Sequence, residues 1–183
     1  MKYKALTAIA AVLALPMAAF AGADDDTLVV NEEIEMVTKT AAPAAVADAL
    51  DEVMSGWHFR SDEAQALQMD DFENPAMVFV DQAMDSWETV EGSEGKSCAS
   101  CHDDVADSMK GVRAVYPKWN EEAGEVRTLA MQINDCRENQ MGADKWKYTG
   151  GDMASMEALI SVQSRGMPVN VATDGPVQAM WEK

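Results

Sequence analysis

Apolar and polar positions divide the chain into stretches of different character. Residues 5–21, ALTAIAAVLALPMAAFA, are almost wholly apolar, preceded by Lys2 and Lys4 and followed by the polar run GADDD. The positive start, the apolar run and the small-x-small sequence Ala19-Phe20-Ala21 predict a signal peptide over 1–21, removed after Ala21. A membrane anchor is the competing reading, but the run sits at the short limit for spanning and Pro16 breaks it. Residues 22–50 mix acids with Ala, Thr and Pro without sustained period, which predicts an extended arm with little core of its own. Within it, Leu28-Val29-Val30 is a candidate short strand or docking element.

Helical periodicity is intermittent from Asp51 to Met69, with Trp57 and Phe59 as expected anchors. It strengthens after Asn74-Pro75, an N-cap followed by a proline tolerated at the first helical position. Met77, Val80, Met84 and Trp87 then form one apolar stripe, and Gly92 and Gly95 punctuate its end. The 45 or so residues after position 104 have weak period and turn-rich composition, which reads as loop. A second helix is predicted from Asp152, burying Met153, Met156, Leu159 and Ile160 and closed by Gly166 and Pro168. A further helix is expected to begin in DGPVQAMWEK. These elements predict a mainly α domain over 51–183. Two strong helices bury too little area for so much loop, so another apolar body is expected at the centre.

Charge narrows the functional classes. Of 183 residues, 32 are Asp or Glu and 14 are Lys or Arg, a net charge of −18. Cleavage after Ala21 removes two lysines and leaves −20. Such a surface argues against nucleic acid as a partner, because that needs a basic face to displace counterions. No segment beyond residue 21 is apolar enough to span a bilayer. The 14 methionines are read as flexible core filler of the kind that packs against a large flat ligand, rather than as a copper motif.

The candidate chemistry is concentrated in GKSCASCHDD, residues 95–104. It holds two of the three cysteines and one of the two histidines. Cys98-Ala-Ser-Cys101-His102 fits the attachment signature for haem c: two thiols spaced for the haem vinyl groups and an imidazole under the ring. A chance match would arise about once in two thousand such chains, which makes the motif specific. A redox dithiol would need a βαβ context that is missing. Zinc could be assembled from Cys98, Cys101, His102 and Cys136, although adjacent Cys101 and His102 converge poorly on one tetrahedral ion. One covalent haem c is the favoured cofactor, and its disc would supply the expected central apolar body.

The second axial position stays open on the residues alone. Met131, Met141 and Met153 are candidates, His58 is the only other histidine, and Cys136 competes with them all. Once the haem takes two thiols, Cys136 is unpaired in an oxidising compartment, a liability unless buried, bridged or bound to metal. Arg137 beside it would favour the thiolate.

The segments DDFENPAMVFVDQAMDSW, EGKSCASCHDD, MKGVRAVYPKWN, MQINDCR and LISVQSRGMPVNV together resemble the SoxA family, cytochrome subunits of the bacterial Sox thiosulfate-oxidising system. The likeness runs from about Asp51 to Lys183. It implies a cytochrome c-like fold exported to the periplasm, a small cytochrome partner of the SoxX kind in a heterodimer, and a carrier protein of the SoxYZ kind. It implies an L-cysteine S-thiosulfotransferase activity that couples thiosulfate oxidatively to a carrier cysteine and passes the electrons to haem. It also implies that Cys98 and Cys101 carry the haem, with His102 and Cys136 as axial ligands. One departure stands out: the family's active-site haem and catalytic cysteine belong to a second haem domain, and these 183 residues contain neither another Cys-x-x-Cys-His nor a cysteine after Cys136. A catalytic residue is therefore assigned to no position, and the sequence is read as the N-terminal haem half of a longer protein. A simple monohaem electron carrier is the alternative, and a zinc-stabilised interaction domain a weaker one.

Overall fold

The computed structural model describes residues 27–183; the expected signal peptide and the first residues of the arm lie outside the described residues. Where an extended arm is expected, the chain instead pairs with itself. Strand β1 (Thr27–Val30) runs antiparallel to β2 (Ile34–Val37), with Leu28 opposite Met36. Their turn holds Asn31 and Glu32 in the left-handed region, at φ 53° and 60°, which Asn tolerates and Glu adopts only under constraint. Strand β3 (Lys39–Ala41) pairs with β4 (Glu52–Met54), so the second hairpin crosses the expected arm boundary at residue 50.

Leu28, Val30 and Trp57 are buried together, with Ile34, Met36 and Met69 packed against them. Trp57 sits in a 3-10 turn over Gly56–Phe59, capped by Ser55. Phe59, expected to anchor beside Trp57, is 73% exposed; the turn aims adjacent side chains in different directions. Helix α1 (Asp62–Met69) follows, N-capped by Ser61. Its buried Gln65 donates to the Trp57 carbonyl at 3.0 Å.

The main core lies between α2 (Met77–Glu88) and a later helix, α6 (Gly151–Val162). Asn74 does not cap α2: its side chain accepts from Ala76 N in a preceding turn, and regular helix starts later. The buried stripe is Val80, Ala83 and Trp87, while Met84 is exposed and Met77 half-buried. Choosing the largest apolar side chains rotated the expected stripe; the small Ala83, 2% exposed, belongs to the buried cluster in place of Met84. From α6, Met153, Met156, Leu159 and Ile160 are buried as the sequence predicts, while Gly150 rather than Asp152 is the N-cap.

Between these helices come two single turns, α3 (Ala99–His102) and α4 (Val105–Ser108). A hairpin of β5 (Lys118–Asn120) and β6 (Glu125–Arg127) follows. Helix α5 (Leu129–Met141) is capped by Thr128 and ended by Gly142 at φ 62°. Hairpin and helix occupy sequence that reads as loop, and α5 corrects that reading most. Its buried residues are Leu129, Ala130, Asn134, Arg137 and Met141, a face too polar to register as an apolar stripe. A short helix α7 (Gln178–Trp181) closes the described chain.

Val105, Met109, Tyr116, Leu129, Met156, Leu159 and Ile160 join the α2 stripe in one buried cluster. Each large apolar side chain so buried contributes roughly 1.5–3 kcal/mol relative to exposure. Three long helices meet there, so the polypeptide supplies more of its own interior than the sequence reading allows. The two lobes are joined at Asp71, whose carboxylate receives Arg165 at 2.6 and 2.8 Å and the Asn31 amide at 2.9 Å.

Candidate haem site

The motif is presented by a short, heavily constrained segment. Trp87, at the end of α2 and 3% exposed, donates its indole N–H to the Asp103 carbonyl at 2.9 Å. Its ring lies 5.9 Å from the His102 ring, tilted by 39°. After α2 the chain turns back on itself, Glu91 N donating to Lys96 O. Ser93 N and Glu94 N donate to the Gly142 and Met141 carbonyls, at 3.1 Å each. The loop that leads into the motif is thereby fastened to the C-terminal end of α5.

Ser97 and Ser100 then cap each other. Ser97 N donates to Ser100 Oγ at 2.9 Å, and Ser100 N to Ser97 Oγ at 3.1 Å. This reciprocal cap satisfies two backbone donors at the start of the turn. The amides of Cys101 and His102 both close onto the Cys98 carbonyl, at 3.2 and 3.0 Å. Three residues apart on one helical turn, the two cysteines share a face. Cys98 is half-buried against the main core, whereas Cys101 and His102 are exposed. Asp103 leaves the turn at φ 53°, and Asp104 caps α4 by accepting from Ala106 N.

Cys136 arrives from α5, half-buried, and its sulfur accepts from the Gln132 carboxamide at 3.6 Å. Burial pushes the Cys98 thiol up from its ordinary value; the Arg137 charge opposes the rise, and Cys136 and Glu91 add to it. Burial likewise raises the Tyr116 hydroxyl, and Cys136 adds to that shift. Both shifts thus include a contribution from Cys136, remote as it is from Cys98 and Tyr116 in sequence. None of the three cysteines forms a disulfide.

Arg137 does not turn to the neighbouring sulfur. Its guanidinium stacks 3.9 Å from the Trp146 ring, donates to the Asp144 carbonyl at 3.0 Å and pairs with Glu91 at 2.6 Å. These residues wall an open groove of about 470 Å³ that runs beside the motif loop and has no motif cysteine in its lining. The donor on Cys136 is Gln132, one helical turn earlier, which sequence reading missed; the i, i+4 spacing on a helix was the available signal.

The other candidate ligands are placed as follows. His58 packs edge-on to Trp57 at 5.4 Å, in the N-terminal cluster. Met153 and Met141 are buried and Met131 half-buried. Among the described residues, no group of three or more His, Cys, Asp or Glu side chains is arranged to hold a metal ion, which leaves a protein-only zinc site without its donor set. Haem suits the same residues better. Cys98 and Cys101 on one turn, with the exposed His102 imidazole beside them, would hold the group, and it would supply one-electron redox chemistry there.

The family model SoxA/TsdA, cytochrome c domain, matches residues 82–169, a span that contains Cys98, Cys101, His102 and Cys136. The SoxA subunit of L-cysteine S-thiosulfotransferase from Rhodovulum sulfidophilum is 57% identical over 91% of this chain and 58% of its own length. Its counterpart from Paracoccus pantotrophus is 48% identical over 97% of this chain and 62% of its own. The crystal structure of SoxXA from P. pantotrophus superposes with a TM-score of 0.81 at 46% identity, covering 87% of this chain and 61% of that one. The chain thus spans about three fifths of the length of these relatives. Among the described residues, no helix is long and apolar enough to cross a membrane. The chain belongs to the SoxA family, as a mainly α cytochrome c domain whose cofactor is covalently bound haem c.

Proposed function

We propose that this chain is the N-terminal haem-bearing part of a SoxA subunit, exported to the periplasm and paired there with a small cytochrome of the SoxX kind. Residues 1–21 direct export, and the folded remainder holds one haem c. Cys98 and Cys101 carry the thioether links, His102 is the proximal ligand and Cys136 the distal one. The observation that carries this reading is that α5, which bears Cys136, is fastened to the loop entering the Cys98 turn: Arg137 pairs with Glu91 at 2.6 Å, and Ser93 N and Glu94 N donate to the Gly142 and Met141 carbonyls. Trp87 steadies the turn that bears His102, and the loop 91–96 fixes the distance between motif and α5.

When bound, haem c supplies one-electron redox chemistry with a potential set by its axial ligands. In the activity of the whole subunit, a carrier cysteine thiol and thiosulfate lose two electrons and one proton as a sulfur–sulfur bond forms between them. The carrier is of the SoxYZ kind. No residue of these 183 serves as the catalytic cysteine, since Cys98, Cys101 and Cys136 are all committed to haem.

The test is maturation of this chain in a host competent for cytochrome c assembly. Mass spectrometry should find one added haem, lost in the double variant Cys98→Ala/Cys101→Ala. Electron paramagnetic resonance should give a low-spin thiolate signature, lost in Cys136→Met. The bare polypeptide mass would sink the haem assignment, and a methionine–iron charge-transfer band would support a simple electron carrier instead. Turnover of thiosulfate by this chain with SoxX and SoxYZ proteins would overturn the division of labour.

A further inference from the structure

We infer that Gln132 is a positioning residue for the distal sulfur: its carboxamide donates to Cys136 Sγ and sets how much electron density that sulfur offers to iron. The inference rests on the proposed reading of Cys136 as an axial ligand. Its starting point is the 3.6 Å contact from Gln132 Nε2 to Cys136 Sγ, a fitting length for an acceptor as large as sulfur. Both residues lie on α5 one turn apart, so the helix itself holds donor and acceptor in register.

The neighbouring groups sharpen the case. Arg137 is the obvious cation for a thiolate, yet its donors are taken by Glu91 and the Asp144 carbonyl and its face by Trp146. Tyr116 is buried in the main core, its hydroxyl proton held more tightly by burial. The sulfur's hydrogen bond thus comes from a neutral amide. A neutral donor leaves the thiolate its full charge while drawing density from its lone pairs, which weakens donation to a bound metal. The bland alternative is an ordinary i, i+4 side-chain pair on a helix, which would affect helix stability alone.

Potentiometric titration and electron paramagnetic resonance on the haem-loaded protein separate the two. Gln132→Leu removes the donor at similar size. It should lower the midpoint potential by the equivalent of about a tenfold change in the one-electron reduction equilibrium, about 59 mV, and shift the low-spin g values, with an unchanged melting temperature. Gln132→Glu replaces the donor by an acceptor carboxylate and should lower the potential further. A potential and g values identical to wild type in both variants would overturn the inference. Cys136→Met is the control: if it keeps the thiolate signature, the ligand assignment fails and the inference with it. If it loses that signature while the Gln132 variants match wild type, only the role of Gln132 is refuted.

Discussion

Arg137 and Glu91 meet at 2.6 Å, joining the residue after Cys136 to the loop that enters the Cys98 turn. The guanidinium side chain is 6% exposed and the carboxylate 34%, so the pair closes a partly desolvated seam between two parts of the candidate haem site. Trp146 covers the guanidinium's face, and the Asp144 carbonyl takes another of its donors.

Arg137→Ala should therefore destabilise the fold by about 2–3 kcal/mol, less than loss of a fully buried pair because Glu91 still reaches water. Arg137→Lys should recover only part of this, since an ammonium neither stacks nor forks as a guanidinium does. Urea denaturation of the two variants measures both. An effect below 0.5 kcal/mol in Arg137→Ala, on the scale of about 0–1 kcal/mol for an exposed pair, would reduce the seam to a surface contact.

Gly92 and Gly95 make a controlled comparison. Both have positive φ, 73° and 59°, but a Cβ at Gly92 would run into the Met141 carbonyl, whereas at Gly95 nothing lies within 4 Å. Gly95→Ala should cost about 1 kcal/mol, the backbone penalty alone. Gly92→Ala should cost clearly more and loosen the loop from α5. Thermal melts of the pair read the difference, and equal losses would show that the close approach carries no energy.

Asp71 supplies a pH dependence. The Arg165 hydrogen bond holds its carboxyl below the unfolded value of 3.8, against the opposing effect of burial, with Asn31 assisting. A carboxyl depressed in the folded state adds stability that is complete above pH 3.8 and is lost as pH falls through the lower, folded value. Asp71→Asn should therefore cost about 1 kcal/mol at neutral pH, and the difference from wild type should vanish in acid. Unfolding free energies measured between pH 7 and pH 2 test the convergence; parallel curves would refute it.

Met156 and Met84 test the placement of the core. Met156 is 1% exposed and Met84 42%. Met156→Ala should cost about 2–5 kcal/mol, while Met84→Ala should stay within about 0.5 kcal/mol. Comparable losses at both sites would mean that Met84 is covered, as the sequence stripe suggested.

Sequence alone placed the buried face of α6 because its apolar residues repeat at helical spacing and its polar residues do not intrude. It failed on α5 for the opposite reason. Asn134 is 1% exposed, yet it bonds to both the amide and the carbonyl of Trp146, and Arg137 is buried by pairing. Polar side chains satisfied inside the fold are invisible to a hydrophobic pattern. The first hairpin was half legible: Leu28-Val29-Val30 reads as a candidate strand, but its partner escaped notice because the turn uses Asn31 and Glu32 where the usual signal is Asn-Gly.

What the chain determines by itself is the local chemistry: two thiols and an imidazole within five residues, at a spacing fixed by covalent reach and requiring no knowledge of the fold. The approach of α5, which carries Cys136, to the loop entering that turn was decided only in three dimensions. It depends on which face α5 turns inward, and that choice follows from pairings of Asn134 and Arg137 with residues outside the helix. Local spacing is written along a chain; the partner of a buried polar group is fixed only when distant segments pack.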